Sequence, residues 1–234
     1  MESNINDEIP TNPDNPKEWN EKLVNYPTST KLWDGWWSNK KFKKYYALDI
    51  MHDSPVMDYI KDFIKNGART VLLVGNGVSQ QPKMFSYAGF DVTAIDISPY
   101  ANSYALDYQF HPELYIQESS INGINQLPKR DGGSLEFITG DFMSPEIFAN
   151  KRFDVIMSFK TLQYFSGDLL EKAALDLVDL LNPNGFLLIG ISNLFHIVDK
   201  IEALFKKHNI QIKIIDDYLK SPHNSKECQL YRYS

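Results

Sequence analysis

The sequence lacks several features that would assign it to a specialised class of protein. Its 234 residues contain one cysteine, Cys228, so neither an internal disulfide nor a cysteine zinc cluster can form. No stretch approaches the roughly 18 apolar residues of a membrane span. The first residues have neither the basic nor the apolar region of a signal peptide. These absences predict a cytoplasmic protein that has no membrane segment and needs no metal.

An excess of basic charge is also missing. The chain has 24 Lys and Arg against 30 Asp and Glu, a formal net charge of −6, which argues against a dedicated binder of DNA or RNA. Hydrophobic residues make up 43% and charged residues 23%, proportions that are ordinary for a folded globular chain. We therefore expect a compact protein without a nucleic-acid partner.

The N-terminal part differs in composition from the rest. Residues 1–16 are rich in proline and poor in apolar side chains, which predicts a disordered tail. Residues 17–66 have helical patterns and are interpreted as a helical lid, and residues 67–234 as the main domain. The lid contains every tryptophan of the chain: Trp19, Trp33, Trp36 and Trp37.

Strands and helices alternate after residue 67. The predicted strands are 71–74, 91–96, 134–139, 153–158, 186–191 and 210–215, with 228–233 as a candidate seventh; the predicted helices are 80–88, 99–110, 168–181 and 194–208. Such alternation predicts an α/β fold whose parallel sheet is covered on both faces. The Asn-Pro-Asn-Gly sequence at 182–185 predicts a turn. The last two strands have no helix between them, which favours an antiparallel pair.

The first strand is followed by a glycine turn. Gly75 and Gly77 permit a tight turn and a close approach of a ligand to the backbone, and Asp96 ends the second strand 21 residues after Gly75. A carboxylate in that place can accept hydrogen bonds from both hydroxyls of a ribose. The combination favours a nucleoside site, whereas the alternative is that the glycines only form a turn and Asp96 only caps a helix.

The nucleoside is expected to lack phosphates. A dinucleotide fingerprint would have a third glycine at position 80, where this chain has Gln80, and the Lys-Ser/Thr pair of a phosphate-binding P-loop is absent. Both differences favour an adenosine ligand without a pyrophosphate.

Five segments together resemble the class I S-adenosylmethionine-dependent methyltransferases. They are residues 71–79, 91–98, 140–142, 153–158 and 181–189, in the order of the family's motifs. The resemblance runs from about residue 70 to the C-terminus. It implies a Rossmann-like, doubly wound, seven-stranded, mostly parallel sheet that ends in an antiparallel hairpin. It also implies S-adenosylmethionine as the cofactor.

The same resemblance implies which residues hold the cofactor. They are Gly75, Asn76, Gly77, Ser79, Asp96, Ile97, Asp141, Phe142, Ser158 and Phe159. By analogy with the family, Asp96 holds the ribose, Asp141 meets the adenine amino group and Phe142 covers the ring. Asp141 also fits a simple turn and helix cap. Leu73 stands where the family often has an acid near the methionine ammonium, which leaves that group to backbone carbonyls or the N-terminal segment.

The methyl acceptor is less determined than the cofactor. Candidate lid or substrate residues are Trp36, Trp37, Tyr45, Tyr46, His52 and Tyr164. The lid and the long connection at 110–133 loosely resemble the thiopurine group of small-molecule methyltransferases, so we expect methyl transfer to O, N or S of a small molecule. The alternatives are a protein methyltransferase acting on lysine or a terminal amine, a nicotinamide enzyme, and a nucleoside-binding module without catalysis. Residues 158–161 lack the Asp/Asn-Pro-Pro-aromatic run of DNA amino methyltransferases.

The first prediction concerns ligand selectivity. S-adenosylhomocysteine or S-adenosylmethionine should raise the melting temperature, because a ligand at 100 times its Kd stabilises the folded state by about 2.7 kcal/mol. For a chain of this size that corresponds to a rise of several degrees, on the order of 2–4 °C per kcal/mol. Differential scanning fluorimetry with NAD in parallel provides the control. Stabilisation by NAD alone would contradict the prediction.

Overall fold

The computed structural model describes residues 10, 12, 14–39, 56–108, 130–144, 146–190, 197–216 and 228–233. The helices in these ranges are α1 (Pro16–Asn25), α2 (Thr30–Ser38), α3 (Val56–Lys65), α4 (Gln81–Tyr87), α5 (Pro99–Asp107), α6 (Gly167–Asp179) and α7 (Ile197–Lys207). The strands are β1 (Thr70–Val74), β2 (Asp91–Asp96), β3 (Ser134–Thr139), β4 (Phe153–Phe159), β5 (Leu181–Gly190), β6 (Ile212–Asp216) and β7 (Cys228–Tyr233). A 3₁₀ turn at Leu162–Tyr164 follows β4.

The strands form one sheet in the order β3-β2-β1-β4-β5-β7-β6. The pairs from β3 to β5 are parallel, whereas β7 runs antiparallel to both β5 and β6. The predicted α/β fold with a mostly parallel sheet and an antiparallel C-terminal pair is confirmed. None of the helices within the described ranges is long and apolar enough to cross a membrane.

The sheet separates two hydrophobic cores because side chains alternate between its faces. On β1, Leu72 and Val74 belong to the larger core, which includes residues of α1, α2, α6 and α7. Val71 and Leu73 belong to the smaller core, where α3 and α4 pack. The central strands are thus covered on both faces, as their nearly continuous apolar sequences predict.

The predicted disordered tail takes part in the fold near its end. Pro10 is buried. Asn15 caps α1 by accepting a hydrogen bond from the Lys17 backbone N–H at 3.1 Å, and Pro16 occupies the first helical position. Asn at the N-cap and Pro at the next position are strong helix-start signals. The composition of residues 1–16 as a whole obscured this local signal.

The segment predicted to form a single lid is divided between the two faces of the sheet. Trp19, Trp36 and Trp37 on α1 and α2 lie in the larger core. Ile60 and Phe63 on α3 lie in the smaller one. The described helices of this segment therefore have different roles. Helix α2 lines the cavity described below, α1 packs against α2, and α3 supports the sheet from the opposite face.

Strand β5 begins earlier than the sequence predicts. Leu181 lies opposite Phe153 and Phe186 lies opposite Val155, so the strand contains a bulge between the two pairs. Asn184 takes a positive φ of 64° inside this bulge. The predicted turn at 182–185 is therefore an irregularity within a strand, because the residues before it already pair with β4.

Replacing Trp19 tests whether α1 is part of the main core. The Trp19 side chain is 0% exposed and packs edge-on against Trp36 with ring centroids 5.9 Å apart. Trp19→Ala should lower the free energy of unfolding by about 3–5 kcal/mol, because it leaves a cavity in the core. Urea unfolding followed by circular dichroism measures the change. The exposed Glu21→Ala on the same helix is the control, and equal effects of the two variants would contradict the assignment of α1 to the core.

Candidate functional site

A cavity opens where the carboxyl ends of β1, β2, β3 and β4 meet. Ligand sites of parallel α/β sheets lie at this edge, beyond the ends of the strands. The lining residues come from the four loops that follow these strands and from the N-terminal helices: Pro27, Thr28, Trp33, Trp36, Trp37, Leu73, Val74, Gly75, Asn76, Gly77, Ser79, Gln81, Ile95, Asp96, Ile97, Gly140, Asp141, Phe142, Met157, Phe159, Lys160, Thr161, Tyr164 and Phe165.

The turn after β1 depends on glycine at two positions. Gly75 and Gly77 have φ values of 65° and 51°, which side chains rarely adopt. A Cβ on Gly77 would lie 2.6 Å from Cζ2 of Trp37, and a Cβ on Gly75 would overlap the Thr161 side chain. The Thr161 hydroxyl lies 3.1 Å from the Val74 carbonyl oxygen, which it can reach as a donor. The glycines therefore bring the β1 loop against both α2 and the β4 loop.

Asp96 is a buried carboxylate that lines the cavity. Its Oδ2 accepts a hydrogen bond from the Gly77 N–H at 2.8 Å, and its Oδ1 accepts one from the Ser98 N–H at 2.9 Å. Burial raises the pKa of Asp96 to about 6; these two hydrogen bonds oppose the shift, and the nearby negative charge of Asp34 adds to it. Each oxygen keeps acceptor capacity that a ligand can use.

Both interpretations of Asp96 are thus compatible with the geometry. Its bond to Ser98 supports the turn into α5, but the helix cap itself is Ser98, whose hydroxyl accepts from the Ala101 N–H at 3.1 Å. Asp96 also lines the cavity.

The loop after β3 contributes Asp141 and Phe142. Asp141 Oδ1 accepts a hydrogen bond from the Met143 N–H at 2.9 Å, which is the local turn that the sequence allows as an alternative. Both residues nevertheless line the cavity. Phe142 is buried and packs edge-on against Phe165, with centroids 6.1 Å apart.

Ser158 is the one predicted cofactor residue that the structure does not bring to the cavity. The other nine line it. Ser158 follows Met157 in β4, and alternation along a strand turns its side chain to the face of Ile156, into the larger core. Its hydroxyl is buried without a hydrogen-bond partner among the described residues. Because the role expected at this strand end is that of a backbone carbonyl, the direction of the side chain does not test it, and the role of Ser158 stays a prediction.

Aromatic side chains from α2 and from the segment after β4 line the cavity. We call this group the aromatic wall; it consists of Trp33, Trp36, Trp37, Tyr164 and Phe165. The Trp33 and Trp37 rings are stacked, with centroids 6.4 Å apart. The Trp33 and Tyr164 rings meet edge-on, with centroids 4.9 Å apart. The Trp33 indole N–H donates to the Pro27 carbonyl at 2.7 Å, which fixes the ring.

Of the predicted lid or substrate residues, Trp36, Trp37 and Tyr164 line the cavity. Tyr45, Tyr46 and His52 lie outside the described residues. The lining residues Thr28 and Thr161 were missed; for Thr161, no sequence signal marks its contact with the Val74 carbonyl, 87 residues away. Within the described ranges, no group of three or more His, Cys, Asp or Glu side chains is placed to hold a metal ion.

Solved structures share this architecture at low sequence identity. Magnesium protoporphyrin IX methyltransferase from Synechocystis PCC 6803, solved with bound S-adenosylmethionine, has a TM-score of 0.58 and 16% identity over 92% of this chain and 97% of its own. A TehB-like methyltransferase from Corynebacterium glutamicum has a TM-score of 0.56 and 14% identity over 83% and 97%. The plantazolicin methyltransferase BpumL has a TM-score of 0.56 and 14% identity over 92% and 99%.

A sequence match to a ribosomal protein is too short to indicate the family of this chain. The large ribosomal subunit protein uL4 of Borrelia duttonii (strain Ly) is 35% identical over 68 residues, which are 29% of this chain and 31% of that protein. By contrast, the model of the family described as "Methyltransferase domain" matches residues 72–189, half of the chain. Because that match includes all four loops around the cavity, the chain belongs to the methyltransferase domain family and is a class I S-adenosylmethionine-dependent methyltransferase.

Proposed function

We propose that this enzyme transfers the methyl group of S-adenosylmethionine to an O, N or S atom of a small, largely apolar molecule. The observation that carries the proposal is the continuity of the cavity. It runs from the buried acid Asp96 to the aromatic wall, which α2 helps to build. An acceptor at the wall would lie next to a cofactor held by the loops of the sheet.

The residues present fit the cofactor. Gly75 and Gly77 give the turn after β1 its tight, positive-φ backbone, and both residues line the cavity. Asp96 offers the acceptor oxygens that two ribose hydroxyls require. The side-chain carbonyl oxygen of Asn76 is buried and has no partner among the described residues, so it is available to a donor on the ligand. We therefore propose the nine cavity-lining residues of the predicted set as the cofactor site.

The strand order supports one orientation of the cofactor across the sheet. The order β3-β2-β1-β4 separates the loop with Asp141 and Phe142 from Lys160 and Thr161 by the loops after β2 and β1, although Phe165, further along the segment after β4, contacts Phe142. With the adenine at β3 and the ribose at β2, the sulfonium end would lie towards Lys160 and Thr161. The bound cofactor supplies an electrophilic methyl group, and the acceptor must reach it from the side of the aromatic wall.

The contribution of the protein to this reaction is mainly positioning. Displacement at a sulfonium needs the acceptor in line and water excluded, and it needs a base only if the acceptor must lose a proton. Aromatic rings held in place can provide an apolar surface that excludes water. The Trp33 ring is held by its hydrogen bond to the Pro27 carbonyl and by its contact with Tyr164. No base is assigned, because nothing in the structure places Asp96, Asp141, Lys160 or Tyr164, titratable residues of the described lining, against a bound acceptor.

The charges of the lining favour a small acceptor over a lysine side chain of a protein. The acids of the cavity are Asp96 and Asp141, which lie at the β2 and β3 side. The acceptor side has aromatic rings and the cation Lys160 instead. A lysine substrate would be expected to need acidic groups there.

The cytoplasmic location suggested by the composition stays a prediction.

Asp96→Ala tests the ribose site through the pH dependence of binding. The hydroxyls need the ionised carboxylate, so the affinity for S-adenosylhomocysteine should be highest above pH 7 and fall as the pH drops through about 6, the pKa of Asp96. At pH 8 the variant should bind about 100-fold more weakly, because charge-assisted hydrogen bonds contribute roughly 1.5–3 kcal/mol each. Its affinity should vary little between pH 5 and 8. Isothermal titration calorimetry measures both effects.

Asp91→Ala is the matched control, because Asp91 begins the same strand at the end remote from the cavity. It should keep the affinity and pH profile of the wild type. If a folded Asp96→Ala variant binds as tightly as the wild type at pH 8, Asp96 acts only on the turn into α5.

Turnover assays test the class of acceptor. The enzyme should release S-adenosylhomocysteine with small aromatic alcohols, amines or thiols and not with lysine-containing or free-amine peptides. With an accepted substrate, Trp33→Ala should raise KM several-fold and leave the affinity for S-adenosylhomocysteine unchanged, because Trp33 belongs to the wall and has no proposed cofactor contact. Tyr108→Ala removes an aromatic side chain outside the cavity lining and should change neither value. Turnover only with peptides would favour the protein methyltransferase alternative.

A further inference from the structure

Helix α2 reaches the cofactor loops through a polar contact as well as through its tryptophans. Asp34 lies between the aromatic residues of this helix and is absent from the cavity lining. Its Oδ1 accepts a hydrogen bond from the Ser98 hydroxyl and one from the Tyr100 N–H at 3.2 Å. These partners are 64 and 66 residues away along the chain. Asp34 therefore joins α2 to the start of α5.

The Ser98 side of this contact leads directly to the ribose acid. Ser98 is 0% exposed. While its hydroxyl donates to Asp34, its backbone N–H donates to Asp96 Oδ1 at 2.9 Å. The position of Ser98 thus depends on α2, and the position of the Asp96 carboxylate depends on Ser98.

A second contact joins α2 to the other donor of Asp96. Trp37 lies three residues after Asp34, on the same side of the helix. Its ring packs so closely against Gly77 that a Cβ there would be 2.6 Å away. The Gly77 N–H is the donor to Asp96 Oδ2 at 2.8 Å. Helix α2 therefore touches both of the loops whose backbone N–H groups orient the acid.

We propose that Asp34 is a positioning residue that couples the docking of α2 to the binding of the cofactor. The proposal rests on the proposed role of Asp96 in holding the ribose. When α2 is docked, Ser98 and Gly77 are fixed and the acid is oriented for the hydroxyls. A cofactor bound to Asp96 stabilises the same arrangement. The factor by which docking of α2 raises the affinity for the cofactor therefore equals the factor by which the bound cofactor raises the equilibrium constant for docking.

Tryptophan fluorescence is a direct measure of docking, because all four tryptophans lie on α1 and α2. In Asp34→Ala, acrylamide should quench the emission more strongly than in the ligand-free wild type, since the helix is released part of the time. Saturating S-adenosylhomocysteine should restore the protection. The Kd for this ligand should rise about tenfold, which is within the usual range for coupled sites.

Two further variants separate coupling from simple loss of structure. Asp34→Asn keeps a carbonyl oxygen for both donors, so it should restore the affinity to within about threefold of the wild type and restore the protection. Ser98→Ala breaks the same link, so the effects of Asp34→Ala and Ser98→Ala on Kd should be less than additive. Glu21→Ala, an exposed acid on α1, should change neither readout.

The outcomes distinguish this inference from the proposed function. If the wild type does not bind S-adenosylhomocysteine, the proposed function fails. If the wild type binds it and Asp34→Ala binds it equally well, the coupling alone is wrong. Weaker binding with unchanged quenching would also overturn the coupling, because Asp34 would then act on the start of α5 without affecting the docking of α2.

Discussion

The buried carboxylate of Asp96 is the constraint around which the site is arranged. A charge that is only 6% exposed is costly unless it is hydrogen-bonded, and here two backbone N–H groups share it, one from the β1 loop and one from the turn into α5. Those loops follow adjacent parallel strands, so the register of β1 with β2 brings them within reach. The pKa of about 6 shows that the bonds do not fully offset burial. A ligand that donates two more hydrogen bonds would complete the acid's partners.

The hydrophobic cores on the two faces of the sheet have different consequences for this acid. The smaller core, with α3 and α4, holds the strands in place from the face away from α2. The larger core contains Trp36 and Trp37, whose rings also line the cavity. On that face, the packing of α2 against the sheet therefore also determines the shape of the cavity. A change that loosens the packing of these tryptophans therefore acts on the stability of the fold and on the shape of the site together.

Short sequence motifs predicted the parts of the site that are built from consecutive residues, and they did not predict contacts between distant segments. The glycine turn, Asp96 and the Asp141–Phe142 pair line the cavity, as expected for residues at or directly after the ends of parallel strands. Ser158 is outside the lining, and the roles of these residues towards the cofactor stay predictions. The contacts that Asp34 makes with Ser98 and Thr161 makes with Val74 could not be found, since they join residues 64 and 87 positions apart and no pattern links them. The bulge that carries β5 through residues 182–185 depends likewise on pairing with β4.

The chemistry of methyl transfer explains why the sequence predicts candidate cofactor residues more readily than candidate acceptor residues. The loops that face the cofactor must meet one fixed molecule, so glycines and an acid recur at set distances from the strands. Methyl transfer imposes no comparable pattern on the acceptor side, where an apolar surface of the right shape and the exclusion of water suffice. In the proposed site, Trp33, Tyr164 and Phe165 supply that surface from two segments that are far apart in the sequence. Substrate choice would then depend on how α2 packs against the segment after β4. Because Asp34 and Trp37 of the same helix contact the loops around Asp96, only substitutions at wall positions that do not contact those loops, such as Trp33, should change substrate choice without changing the affinity for the cofactor.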